Sequence, residues 1–128
     1  MITRRHDPIT TRLEQLGFAR GAASQLSHQG TVIDLEPDVV LCRAGERGTQ
    51  AFLLLRGNAD VHTANAVITI GPGDVVGELA TLDPHRRRNA TVTTTTPVRL
   101  LVFDVSTFRF LAEQDDLRPQ LVPHRLAA

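Results

Sequence analysis

Lysine, tryptophan and tyrosine are absent from this 128-residue chain, and cysteine occurs once. Each absence removes a class of function. Without Trp or Tyr the chain lacks the large amphipathic rings on which exposed bases usually stack. A single cysteine, Cys42, allows neither an internal disulfide nor a thiolate zinc cluster, which fits a reducing, cytoplasmic compartment. No apolar run approaches the roughly 20 residues of a membrane helix. The charged segment 1–10 lacks the apolar centre of a signal peptide. Net charge is missing too: 14 basic residues, all arginine, balance 14 acidic ones. That balance argues against general nucleic-acid affinity, which rests on many phosphate contacts. His6, His28, His62, His85 and His124 show no metal-ligand spacing, so no metal site is expected.

What is present is a 41% hydrophobic chain, enough to bury the core of one domain. Ile9, Leu13, Leu16 and Phe18 recur at helical spacing, which predicts a short helix near 9–16 that Gly17 ends. A second helical piece runs from Ala19 to His28 and closes at Gly30. From Thr31 the period becomes two. Strands are predicted at Thr31–Leu35, Val39–Cys42, Ala51–Leu55, Ala59–Thr63, Val67–Ile70, Ala90–Thr96 and Val98–Phe103. The third is apolar throughout and reads as a strand buried on both faces or one central to the sheet. Ser106 is the expected N-cap of a helix carrying Phe108, Leu111 and Ala112. Asp115 and Asp116 offer the start of one more, with Pro119 tolerable in its first turn and Pro123 ending it. Many short strands between frequent turns predict a mainly β fold. Its expected form is an antiparallel jelly-roll (double-stranded β-helix) barrel with short flanking α-helices at both termini.

The stretch from Gly71 to Val92 carries the most chemistry. A tight turn, Gly71-Pro72-Gly73-Asp74, leads into Val75-Val76 and then Gly77-Glu78-Leu79-Ala80. A loop with Arg86, Arg87 and Arg88 follows, and the segment closes on Ala90-Thr91-Val92. One carboxylate and one guanidinium lie on either side of a small helical turn. Helix N-termini attract anions, arginine matches phosphate oxygens with a planar fork, and a carboxylate accepts hydrogen bonds from sugar hydroxyls. The arrangement suits a ligand that is anionic at one end and bears hydroxyls at the other.

These residues resemble the phosphate-binding cassette of cyclic-nucleotide-binding domains, the family of the bacterial catabolite activator and the protein kinase A regulatory subunit. The family pattern F-G-E-L-A-L-L, loop, R-[SAT]-A-T-V is met by Val76-Gly77-Glu78-Leu79-Ala80-Thr81-Leu82 and Arg88-Asn89-Ala90-Thr91-Val92. The resemblance covers roughly Val32 to Leu126. It implies three parts: an N-terminal helical segment (1–30), a β-barrel (31–105) containing the cassette (71–92), and a C-terminal helix with a truncated lid (106–128). The ligand implied is cAMP or cGMP, with no cofactor and no catalytic residue. Glu78 would accept hydrogen bonds from the ribose 2′-hydroxyl. Arg88 would pair with the cyclic phosphate, helped by backbone N–H groups near Ala80 and Asn89. Gly77 and Leu79 complete the cassette, and Val61 and Ile70 would line the pocket. Asn89 stands where Ser, Thr or Ala is commoner, and its amide suits either the phosphate or a guanine amino group, leaving cAMP and cGMP both open.

Other readings are weaker. Alone, Glu78 is a carboxylate favoured at a helix start, and Arg86 and Arg87 are a solvated loop. The glycines at 71, 73 and 77 lack the Lys-[Ser/Thr] of a triphosphate loop. Ser24, Ser27 and His28 lack a nucleophile elbow, and a cupin-type enzyme would need clustered histidines. His62 is the histidine that could face the pocket. The partners expected are a cyclic nucleotide and another protein or output domain, with neither membrane nor direct nucleic-acid binding. The expectation is a non-catalytic sensor, with one module of a larger protein as a reading left open. The alternative is a degenerate fold of the same kind serving as a protein-interaction scaffold.

Overall fold

The computed structural model describes residues 7–77, 82–83 and 85–122. The first helix, α1 (Pro8–Gln15), starts at Asp7, whose Oδ1 accepts the Ile9 N–H at 3.1 Å. Pro8 occupies the first turn, where its missing N–H costs nothing. Gly17, at φ 103, follows the C-cap Leu16 and turns the chain into α2 (Arg20–Gln29). Asp7 also ties the two helices together, because its Oδ2 accepts from the Ser27 hydroxyl.

Eight strands follow among the described residues: β1 (Thr31–Leu35), β2 (Val40–Cys42), β3 (Gln50–Arg56), β4 (Ala59–His62), β5 (Val67–Ile70), β6 (Val75–Val76), β7 (Thr91–Thr94) and β8 (Val98–Asp104). They form two four-stranded antiparallel sheets, ordered β1-β8-β3-β6 and β2-β7-β4-β5. β1 pairs with β8, β2 with β7, β3 with β6 and β4 with β5. That nesting is one long antiparallel ribbon wound into two layers, which is the expected jelly roll. After β8 come α3 (Val105–Ala112) and the four-residue α4 (Arg118–Leu121).

The alternation of β3 and β8 divides the interior in two. Ala51, Leu53, Leu55, Leu101 and Phe103 face the helices, packing with Leu13, Phe18, Leu26, Phe108, Leu111 and Leu121. Phe52, Leu54, Val98, Leu100 and Val102 face the other sheet, packing with Cys42, Val61, Ile70, Val76 and Val92. The continuous apolar run of β3 is therefore buried on both faces, as expected. β6 contributes to both cores with two residues: Val75 enters the helix-side core and Val76 the inter-sheet core.

Two local expectations change. The N-cap of α3 is Asp104, not Ser106: β8 runs on to Asp104, whose Oδ1 accepts the Thr107 N–H at 2.8 Å while the Ser106 hydroxyl donates to the same oxygen. Asp and Ser cap about equally well, so strand length decides which is used. The final helix begins at Arg118 rather than at the two aspartates, with Pro119 in its first turn; Pro123 lies outside the described residues. β1 has the predicted bounds, and its Val32 and Ile33 are 40% and 37% exposed. It is an edge strand with β8 as its single neighbour.

Candidate functional site

The site is assembled from a turn, a two-residue strand and a loop. Asp74 N–H donates to the Gly71 carbonyl at 3.1 Å, with Pro72 and Gly73 between them. Gly73 has φ 92, the positive value that a type II turn requires at its third position. Asp74 Oδ2 accepts the Gly71 N–H at 2.9 Å, and the Leu54 N–H donates to the Asp74 carbonyl at 2.9 Å. The turn is thereby fastened to β3 just before β6. After Val76 the chain reaches Gly77 at φ 85.

Opposite Gly77 lies Arg88. Its backbone is held by the 43–50 loop: Arg88 N–H donates to the Glu46 carbonyl, and Gly45 N–H to the Arg88 carbonyl, each at 2.8 Å. The side chain is 6% exposed. Nη2 donates to the Gln50 carbonyl at 2.7 Å. Nη1 is buried and has no hydrogen-bond partner among the described residues. A β-carbon on Gly77 would overlap Nη1 and come within 2.9 Å of the Gln50 carbonyl. Glycine is required there both for its positive φ and for the space the guanidinium occupies.

A buried cation with an unpaired donor is expensive, because the group has lost water without full replacement. Such exceptions call for an explanation. A phosphate oxygen brought to Nη1 would supply the missing acceptor with a charge-assisted bond.

The other residues singled out in the sequence fall as follows. Glu78, Leu79 and Ala80 lie outside the described residues. Asn89 is exposed, between buried Arg88 and buried Ala90. Val61 and Ile70 are 1% and 3% exposed, in the same inter-sheet core as Ala90. His62 is exposed, as its place next to inward-facing Val61 on a strand requires, so it does not face the interior.

Two contributors escape a reading by residue type. The Gln50 carbonyl, which positions Arg88, is backbone and leaves no trace in side-chain chemistry. Ile68 is opposite Val61 in the β4–β5 register and two residues from Ile70, so it shares their face, yet it is 41% exposed. Strand alternation together with the hairpin register could have found it.

No group of three or more His, Cys, Asp or Glu is placed to hold a metal among the described residues. No helix among them is long and apolar enough to cross a membrane.

Comparison with known proteins identifies the family. The profile described as the cyclic nucleotide-binding domain matches residues 32–115. The Pycsar effector protein PaPycTIR of Pseudomonas aeruginosa is 32% identical over 92 residues, covering 71% of this chain and 30% of the effector. A cyclic nucleotide-gated potassium channel of Mesorhizobium japonicum is 39% identical over 72 residues, 56% of this chain and 20% of the channel. The cAMP-dependent protein kinase regulatory subunit of Schizosaccharomyces pombe is 38% identical over 81 residues, 61% of this chain and 19% of the subunit. The chain thus spans less than a third of the length of these curated relatives. Among solved structures, a mutant cAMP-binding acyltransferase from Mycobacterium smegmatis superposes with a TM-score of 0.65 at 26% identity, covering 90% of this chain and 40% of that one. A PKAR CBD2 structure with Sp-2Cl-cAMPS bound shares the fold, with a TM-score of 0.68 at 24% identity over 81% of this chain and 72% of that one. With its two nested sheets, its cassette turn and a matching profile over more than half its length, this chain belongs to the cyclic nucleotide-binding domain family.

Proposed function

We propose that the chain is a regulatory sensor that binds cAMP or cGMP and has no catalysis of its own. The observation that carries this reading is Arg88 Nη1, a buried donor beside Gly77 with no acceptor among the described residues. The cyclic phosphate would sit against Nη1, with backbone N–H groups near Ala80 and Asn89 as further donors. Glu78 would accept from the ribose 2′-hydroxyl, and Leu79 would close the cassette around it. Val61, Ile70 and the half-open Ile68 would give the base an apolar wall.

The signal would leave through β6. Gly77 follows directly on Val75 and Val76, and Val75 packs in the helix-side core. Ligand that draws the cassette inward would pull on that core and bias the terminal helices, by no more than its differential affinity for the two positions. The relatives carry such a domain beside much longer partners, so an output domain or partner protein would read the change. A cytoplasmic setting suits both a single cysteine and the ligand.

Calorimetric titration with cAMP and with cGMP tests this. Binding by the wild-type chain that is lost in Arg88→Ala and Glu78→Ala supports the sensor. Heats equal to buffer for both nucleotides favour the scaffold reading instead.

A further inference from the structure

The loop arginines that flank Arg88 are brought together by the fold. Arg47 and Arg87 face each other in an antiparallel bridge between two loops. The Arg88 N–H to Glu46 carbonyl bond lies one residue beyond that bridge. The two arginines are therefore the non-hydrogen-bonded kind of pair, whose side chains stand closer together. Like charges directly opposite one another are destabilising. Arg86 adjoins them, and all three are exposed. Arg87 Nη1 donates to the Gly45 carbonyl at 3.3 Å, which holds its charge in the loop. Among the described residues the ion pairs are Arg43–Glu46 and Arg99–Asp34, and neither engages Arg47, Arg86 or Arg87. In a chain of zero net charge, these loops collect Arg43, Arg47, Arg86, Arg87 and Arg88 against Glu46 and Asp83.

We propose that Arg47, Arg86 and Arg87 form an electropositive rim that draws a small anion towards Arg88 without holding it once bound. This rests on the reading of Arg88 as the phosphate site. Arg88 is buried and its neighbours are exposed, so the outer charges cannot share its contacts. Consecutive Cα atoms are about 3.8 Å apart, well inside the screening length of about 8 Å at physiological salt. A focused field of one sign raises the association rate of an oppositely charged ligand and leaves its dissociation nearly unchanged.

The test has two arms. In the first, Asn89→Cys places an exposed thiol on the rim, with buried Cys42 as background. Its reaction rates with a dianionic aryl disulfide, 5,5′-dithiobis(2-nitrobenzoate), and with neutral 4,4′-dithiodipyridine are compared. Both reagents consume the same thiolate, so the ratio of rates reports the local field whether or not a nucleotide binds. Adding R47Q/R86Q/R87Q should lower that ratio about fivefold or more at low salt, and hardly at all at roughly 0.5 M. In the second arm, stopped-flow binding of cAMP tagged with a fluorophore at C8 should show association slowed about three- to tenfold in R47Q/R86Q/R87Q, with dissociation within about twofold. An unchanged thiol ratio overturns the rim. A lowered ratio with unchanged association, or with faster dissociation alone, overturns steering. A lowered ratio in a chain that binds neither cAMP nor cGMP, tagged or untagged, upholds the field and overturns the phosphate reading of Arg88.

Discussion

Arg88 and Gly77 share one packing position: the guanidinium fills the space that any β-carbon at residue 77 would need. Gly77→Ala therefore meets two penalties. A left-handed backbone costs an L-residue about 1–2 kcal/mol, and the new methyl must displace Arg88 Nη1. We expect Gly77→Ala to lower stability by at least that amount and nucleotide affinity by tenfold or more. Chemical denaturation and calorimetry on the same preparation would check it. A variant that binds like wild type would show that Arg88 can leave Gly77 without consequence.

Arg88→Met separates binding from folding. A buried charge with an unpaired donor is a liability to the unliganded protein, and replacing such groups with apolar ones is often neutral or stabilising by about 1–4 kcal/mol. The bonds lost to a phosphate are charge-assisted, each about 1.5–3 kcal/mol. The unliganded variant should melt at or above the wild-type temperature yet bind at least tenfold more weakly. A large fall in melting temperature without ligand would mean that Arg88 serves the core, through Gln50, more than the site.

How far residues alone led can be judged at this site. Val75-Val76, Gly77 and Arg88 are identifiable because turn, glycine, carboxylate and arginine follow in a fixed order that few other folds need. The alternating apolar pattern located the other seven strands to within a residue or two, but β6 has only two residues and no period to detect. That β1 leaves Val32 and Ile33 exposed is not legible in residue type, because both have the composition of a buried strand. Its position at the sheet edge depends on which strands pair, which is a long-range property. The Gln50 carbonyl and the Arg47–Arg87 bridge are invisible for the same reason, since both depend on loops meeting across the fold.

Gln25 and Gln114 clasp the N-terminal helices to the segment after α3. Each amide nitrogen donates to the other's carbonyl oxygen, at 3.0 Å from Gln25 and 2.7 Å from Gln114. Because the two bonds are reciprocal, removing either partner removes both. Gln25→Ala and Gln114→Ala should each destabilise, and the double variant should cost less than their sum by about 0.5–3 kcal/mol. Additive losses in a double-mutant cycle would show that the clasp carries no coupling.

Acid should loosen contacts made by three carboxylates. Asp7 is held below the ordinary carboxylate range, chiefly by the Ser27 hydroxyl and also by the Ile9 N–H. Asp104 is lowered by the Thr107 N–H, and Asp34 by Arg99. Each folded-state value is depressed, so its stabilisation is complete above the unfolded value of about 3.9. It is lost as pH falls through the lower, folded value. Melting temperature should be flat from neutrality to about pH 5 and decline below about pH 4. In Asp7→Asn that decline should be shallower, starting from a lower plateau. An identical acid limb in wild type and variant would remove Asp7 from the account.

The most direct test watches the Arg88 side chain itself. In an arginine-selective 15N–1H spectrum, saturating cAMP or cGMP should shift the Arg88 guanidinium signals, slow their exchange with water and reveal a coupling to the ligand phosphorus. Guanidinium signals of Arg88 that stay in place while a nucleotide demonstrably binds elsewhere on the chain would contradict the account.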